Sequence, residues 1–245
     1  MKILCVIPSR LHSTRLPKKP LLPVQGKPMI QWVYENAARC QALTHIVVAT
    51  DDEAIAEVIH RIGGESCMTD PHLPTGSDRV ADVAKHYSDV DIVINLQGDE
   101  PFIRPAMLDQ LVAPYMAGEQ PEMTTLAYPL DRENEYNVPN VVKVITDRQS
   151  NALYFSRAPI PYFRATVQDP IPVYHHMGLY AFRRDFLDIY TKLPQTPLEK
   201  AESLEQLRAL EHGYTIRVCL TKERTLEINT PEEYEQAQTF VYDSE

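Results

Sequence analysis

Residues 3–30 read ILCVIPSRLHSTRLPKKPLLPVQGKPMI. The apolar run from Ile3 to Ile7 fits a strand buried on both faces, the kind that parallel sheets contain. At Pro8 the chain enters a stiff loop holding two arginines and three lysines among five prolines. A second run, DIVIN (91–95), leads into LQGDEP, an acidic turn after a buried strand. Ligands of parallel sheets sit outside the carboxyl ends of the strands, so both turns are expected at one edge. Arg10, Arg15 and Lys19 facing Asp99 there would suit a polyphosphate and a divalent ion that bridges its oxygens. Backbone N–H groups around Ser13 and Thr14 would add anion contacts. The alternative is a solvated basic turn that pairs with nearby acids.

The remaining pattern alternates strand and helix. HIVVATD (45–51), EAIAEVIHRIG (53–63), ESCMT (65–69), DRVADVAKHY (78–87) and PAMLDQLVAPYM (105–116) continue a β-α rhythm that predicts a mostly parallel sheet. The second half is richer in strands: MTTLAYPL, NVVKVITD, ALYFSRAPIP and VYHHMGLYAFR show two-residue alternation. RDFLDIYTKL and LEKAESLEQLRALEHG read as helices. TIRVCLT and TLEIN are expected to close the sheet, and Thr230 caps a last helix with Pro231 at its first position. The fold class is therefore α/β, with a smaller mixed-sheet lobe at roughly 121–180 inserted in one domain spanning 1–245. The proline-dense APIPYFRATVQDPIPV (158–173) is the expected mobile or oligomer-contact segment.

Composition narrows the function. The chain has 245 residues, with 24 Lys+Arg against 34 Asp+Glu and a formal net charge of -10. That balance excludes a dominant basic nucleic-acid surface, so any anion site is local. No run approaches the ~18 apolar residues of a membrane span, and no leader precedes the first strand, so a cytoplasmic protein is expected. The four cysteines form no CxxC pair and read as reduced, mostly buried thiols.

These motifs resemble the 3-deoxy-manno-octulosonate (KDO) cytidylyltransferases. That family opens PAR-x-x-S-S/T-R-L/F-P-G-K-P-L and continues GKPMI. The resemblance runs on through VVATDDEAIAEVI, TGSDRVADV, INLQGDEP, LYFSRAPIPY, HHMGLYAFRR and LEQLR to INTPEEYEQ, nearly the whole chain. It implies a three-layer nucleotide-diphospho-sugar-transferase-like fold and transfer of CMP from CTP to the anomeric hydroxyl of KDO. Pyrophosphate is released, and the product serves lipopolysaccharide or capsule synthesis.

Carried over residue by residue, the resemblance implies catalytic roles for Arg15, Lys19 and Asp99, with Mg2+ as cofactor. Arg10, Ser13, Gly76, Ser77, Arg79 and Gln97 would contact the nucleotide. Arg157, His176, Glu205 and Gln206 would bind the sugar acid, Arg157 taking its carboxylate in a bidentate fork. A homodimer is implied too.

Two positions depart from the family. Lys18 stands where relatives carry Gly, so a changed loop path is expected. Asn229 replaces the Asp of the closing I/V-D-T-P-E-D/E motif, a second metal ligand in relatives. Weaker or altered metal binding, or recruitment of Glu227, would follow. Close relatives activate 8-amino-8-deoxy-KDO, and that substrate remains an alternative. A glycosyltransferase and a catalytically silent nucleotide-binding protein are the other readings.

Overall fold

The computed structural model describes residues 1–11, 16–164 and 172–241. The chain divides into two compact units, one built from Met1–Asp109 with Thr225–Glu245 and the other from Gln110–Arg224.

In the first unit, β1 (Ile3–Ser9) leads through a short 3-10 turn (Lys19–Leu21) to a small hairpin, β2 (Pro23–Val24) with β3 (Lys27–Pro28). Then follow α1 (Met29–Ala37), β4 (His45–Thr50), α2 (Glu53–Arg61), β5 (Glu65–Met68), α3 (Gly76–Ala84) and β6 (Ile92–Asn95). The strands are parallel and ordered β6-β1-β4-β5. Ile3 to Ile7 are wholly buried, as a central strand covered by helices requires. Successive strands run outward from β1 on one side, and β6 returns to its other side. That reversal between β1 and β6 is the topological switch point, where such sheets bind ligands.

α4 (Pro105–Met116) leads into the second unit, which contains β7 (Met123–Pro129), β8 (Lys143–Thr146), β9 (Ala152–Ser156) and β10 (Tyr174–Arg183). There follow α5 (Arg184–Tyr190), α6 (Pro197–Glu202), α7 (Leu207–Glu211) and β11 (Ile216–Leu220). β10 runs antiparallel to β7 and, at its start, to β8; β9 is antiparallel to β8, and β11 is parallel to β7. The mixed sheet expected of the second half is present.

The chain then returns to the first unit and ends in α8 (Pro231–Thr239), capped by Thr230 in a reciprocal box with Glu233. TLEIN is not the strand its alternation suggested. It makes one backbone bond, from Ile228 N–H to the Asp99 carbonyl at 3.1 Å, and no ladder. Its apolar residues instead dock in a cluster with Leu16, Met29, Trp32 and Phe102. Alternation reports a buried face, and docking satisfies it as well as pairing does.

The helix expected across 198–213 is also interrupted. Ser203 takes a left-handed conformation at φ 52°, which ends α6 and starts a turn through Leu204–Gln206 before α7. A buried ion pair braces the break, with Arg208 Nε and Nη2 donating to the two Glu199 carboxylate oxygens at 2.9 and 2.6 Å. Among the described residues no helix is long and apolar enough to cross a membrane. All four cysteines are unbridged, and burial raises the Cys40 thiol to about 11 and Cys219 to about 12.

Candidate active site

The β1–β6 edge is built by close backbone approach. A side chain at Gly98 would place its Cβ 3.0 Å from the Pro8 carbonyl oxygen, so any larger residue would have to push the turn after β6 a few tenths of an ångström away from the end of β1. Asp99 follows directly. Lys19 reaches it across the loop, its Nζ donating to Asp99 Oδ2 at 2.7 Å, to the Ile228 carbonyl at 2.9 Å and to Asn229 Oδ1 at 3.0 Å. One ammonium thus joins three segments far apart in sequence.

Lys18, beside it, adopts φ 55° and ψ 31°. The lysine takes the left-handed conformation itself. Such a conformation costs a non-glycine residue on the order of 1 kcal/mol.

The acidic side of the cluster exceeds its cations. Asp99 Oδ1 is buried and has no hydrogen-bond partner among the described residues. Glu100 is buried, accepting from Thr225 Oγ1 at 2.9 Å, and burial followed by the Glu227 and Asp99 charges raises its carboxyl well above the usual range. Glu227 keeps solvent access as a residue, yet desolvation of its carboxyl and then Asp99 raise it to about 7. Its Oε1 accepts from Asn229 Nδ2 at 2.5 Å. No group of three or more His, Cys, Asp or Glu side chains is gathered for a metal among the described residues. The set is instead one carboxylate, one carboxamide and a carbonyl, all oxygen donors. That suits Mg2+, which takes one or two protein carboxylates and fills its shell with water and substrate phosphates.

Around this cluster lie the other residues expected to meet the nucleotide. Arg10 donates through Nη2 to the Leu73 carbonyl. Gly76 and Ser77 open α3, whose cap is a reciprocal Thr75–Asp78 box. Ser77 Oγ accepts from Asn95 Nδ2 at 3.3 Å, and Asn95 Oδ1 accepts from Gln97 Nε2 at 3.3 Å. Arg79 is fully buried; its guanidinium donates to Thr69 Oγ1 and lies 3.3 Å from Asp51 Oδ2, tying the ends of β4 and β5 beneath α3. Ser13 and Arg15 lie outside the described residues.

In the second unit, the sugar-acid candidates meet around the end of β9. Arg157 Nε donates to the Glu202 carbonyl at 2.8 Å and Nη1 to the Pro139 carbonyl at 3.2 Å. Its backbone is clamped too, N–H to Glu202 Oε2 at 2.9 Å and the carbonyl to Lys143 Nζ at 2.6 Å. The guanidinium is thus positioned by carbonyls, which orient it without neutralising it. Glu205 and Gln206 occupy the turn after Ser203 rather than a helix face, and Gln206 is buried with Nε2 unpartnered. The Glu205 carbonyl accepts from Tyr190 Oη at 2.9 Å.

His176 packs edge-on to Phe155, two residues before Arg157, with ring centroids 4.7 Å apart. It sits before a bulge in β10, where Met177 pairs with Leu126 but Tyr180 with Thr125. Thr125 Oγ1 lies 2.8 Å from the Leu179 carbonyl and 2.9 Å from His176 Nε2. A hydroxyl has one proton; given to the carbonyl, it leaves His176 as donor through Nε2–H, with a bare Nδ1. Burial, then the neighbouring His175, lowers His176 to about 3.

Sequence reasoning missed Lys143, Glu202 and Thr125. Only Lys143 carried a signal: a lysine inside the strand run VVKVIT must be paired if buried. It is fully buried, its Nζ bonded to the Val138, Val141 and Arg157 carbonyls at 3.0, 2.7 and 2.6 Å.

Comparison with known proteins decides the family. The family model described as cytidylyltransferase matches residues 4–218. The 3-deoxy-manno-octulosonate cytidylyltransferase of Acaryochloris marina is 56% identical over 242 residues, covering 98% of each chain. The chain belongs to the 3-deoxy-manno-octulosonate cytidylyltransferase family. A solved structure of CMP:2-keto-3-deoxy-manno-octonic acid synthetase complexed with CTP superposes with a TM-score of 0.91, at 40% identity and 97% coverage of both chains. The 8-amino-3,8-dideoxy-manno-octulosonate cytidylyltransferase of Shewanella loihica is 48% identical, covering 95% of this chain and 96% of its own.

Proposed function

We propose that this cytidylyltransferase transfers CMP from CTP to the anomeric hydroxyl of KDO and releases pyrophosphate, supplying activated sugar for lipopolysaccharide or capsule assembly. The observation that carries this is Lys19 held between Asp99 and Asn229 at the β1–β6 switch point, in a chain of this family.

Lys19 and Arg10 bring fixed positive charge to the edge where a triphosphate would lie, with Arg15 supplied by the same loop. Charge grows on the departing pyrophosphate, so cations set in place beforehand stabilise the transition state more than the ground state. Gly76, Ser77 and Gln97, fixed by the cap of α3 and the Asn95 amide, offer polar groups to the cytidine end, with Ser13 on the loop. Arg79 supports that turn from beneath.

Asp99 and Asn229 would hold Mg2+. Asp99 Oδ1 is a buried carboxylate oxygen with no partner, the kind of atom a cation completes. When bound, the ion would neutralise phosphate oxygens and acidify the sugar hydroxyl. The chain's own part is to orient the two substrates. Arg157 presents an un-neutralised guanidinium suited to the sugar carboxylate, with Gln206 and Glu205 on the adjoining turn for hydroxyls. His176, with a pKa near 3, accepts a proton too weakly at neutral pH to serve as general base, which supports a positioning role. A homodimer is the assembly proposed, to be tested by light scattering.

The test is pyrophosphate release from CTP with KDO and with 8-amino-8-deoxy-KDO, in separate reactions with Mg2+ and Mn2+. Turnover with KDO is expected. Absence of turnover with both sugars would sink the reading, and turnover with the amino sugar alone would reassign the substrate. Asp99→Ala should lower the rate by about 10³-fold or more, as loss of a charge-stabilising group does; near-normal rates would show that the cluster is not the catalytic one.

A further inference from the structure

Asn229 stands where the resemblance implies an Asp, and this raises a chemical problem. A carboxylate presents oxygen whichever way it turns, whereas a carboxamide presents either an oxygen or an NH2 group. An Asn229 turned the wrong way would point N–H bonds at a cation. It would also bring one negative charge fewer than its counterpart in relatives.

The surroundings of Asn229 answer the first point. Its Nδ2 donates to Glu227 Oε1 at 2.5 Å. The Glu227 oxygen accepts this bond, so Glu227 holds the NH2 end of the amide and leaves the oxygen for the other side. That oxygen accepts from Lys19 Nζ at 3.0 Å, and the same Nζ donates to Asp99 Oδ2 at 2.7 Å. The backbone of Asn229 is fixed separately, its N–H donating to Glu233 Oε2 at 2.6 Å within the box that caps α8. Side-chain rotation is thus the one freedom left, and Glu227 removes it.

We propose that Glu227 is a positioning residue that locks the Asn229 carboxamide with its oxygen toward Asp99, making an asparagine serviceable as an oxygen donor to the divalent cation. Glu227 acts through Asn229 rather than as a ligand. The inference rests on the proposed metal-assisted cytidylyl transfer and adds a residue to it. Partners of this kind change metal affinity by about 10–100-fold when removed.

The experiment is a cycle of Glu227→Ala and Asn229→Asp, singly and together, with Asp99→Asn as the control. Mn2+ bound to the full chain is measured by electron paramagnetic resonance, with CTP present and no sugar. Melting curves check that each variant is folded. Glu227→Ala should weaken Mn2+ binding about tenfold or more in the Asn229 protein. It should cost nothing once position 229 is Asp, because a carboxylate needs no orienting. Glu227→Gln should recover part of the loss, since its oxygen can still accept from Nδ2.

Unchanged affinity in Glu227→Ala overturns the proposal. Equal losses in both backgrounds overturn it too, by making Glu227 a direct ligand. Unsubstituted protein that binds no Mn2+ sensitive to Asp99→Asn overturns it as well. The first two results leave the proposed reaction standing, whereas the third would also remove its metal; turnover itself is judged separately by pyrophosphate release from the unsubstituted protein.

Discussion

Acid should destabilise this protein through His176, by an amount set by where the ring sits. The imidazole is 6% exposed, packed on Phe155, and lowered from 6.5 to about 3 by burial and then by His175. In the unfolded chain it takes a proton as pH falls through about 6.5, while the folded ring stays neutral until near 3. The unfolded state therefore holds the extra proton across that window, and stability rises with pH inside it. The slope from one such group is about 1.4 kcal/mol per pH unit. Between pH 6.5 and about pH 5 the loss is roughly 2 kcal/mol, and near pH 3 it approaches roughly 5 kcal/mol.

The comparison that isolates this group is His176→Asn, whose amide can still donate to Thr125. Urea unfolding of both proteins at about pH 7.5, 6 and 5 gives the difference in free energy at each pH. His175 is also lowered, by burial first, and contributes to both proteins, so it largely cancels. The gap between the two proteins should shift by about 2 kcal/mol in favour of the variant on going to pH 5. A gap that stays constant with pH would refute the reasoning, since it would mean that the folded ring titrates like the unfolded one.

Two further outcomes are expected in the second unit. Glu202→Ala removes the carboxylate that accepts from the Arg157 N–H and from Ser156 Oγ at 2.9 and 2.6 Å. The KM for the sugar acid should rise about tenfold with the KM for CTP unchanged; equal changes in both would mean general damage. Lys143→Met leaves the Val138, Val141 and Arg157 carbonyls without their shared donor. It should cost about 3 kcal/mol or more in urea unfolding, and a cost below about 1 kcal/mol would show that water replaces the ammonium.

The parts of this site that could be read from the sequence are those where composition and position coincide. The apolar runs before Pro8 and Gln97 predicted parallel strands ending at one sheet edge, and β1 in fact pairs with β6 from Ile3↔Ile92 to Val6↔Asn95. Lys19 and Asp99 follow because charged residues just after buried strands have few other places to go. TLEIN could not be read correctly, because alternation is blind to whether a buried face pairs or docks. The break at Ser203 carried no Gly or Pro to announce it. Lys18 shows the same limit, since nothing local says that a lysine will accept φ 55°. The clamp on Arg157 joins residues from Pro139 to Glu202, contacts that only the fold brings together.

Ile228 and Asn229 share the Lys19 ammonium with Asp99, and this gives the site an order of assembly. The first unit is made from both ends of the chain, with Gln110–Arg224 synthesised in between. At about 5–20 residues per second, that interval lasts on the order of ten seconds on the ribosome. Throughout it, β1 and β6 have emerged, but Phe102 and Met29 lack the Ile228 and Ala237 that complete their cluster. The nascent first unit thus carries an unfilled apolar cluster until the Thr225–Glu245 segment is made, and Lys19, Asp99 and Asn229 come together only then.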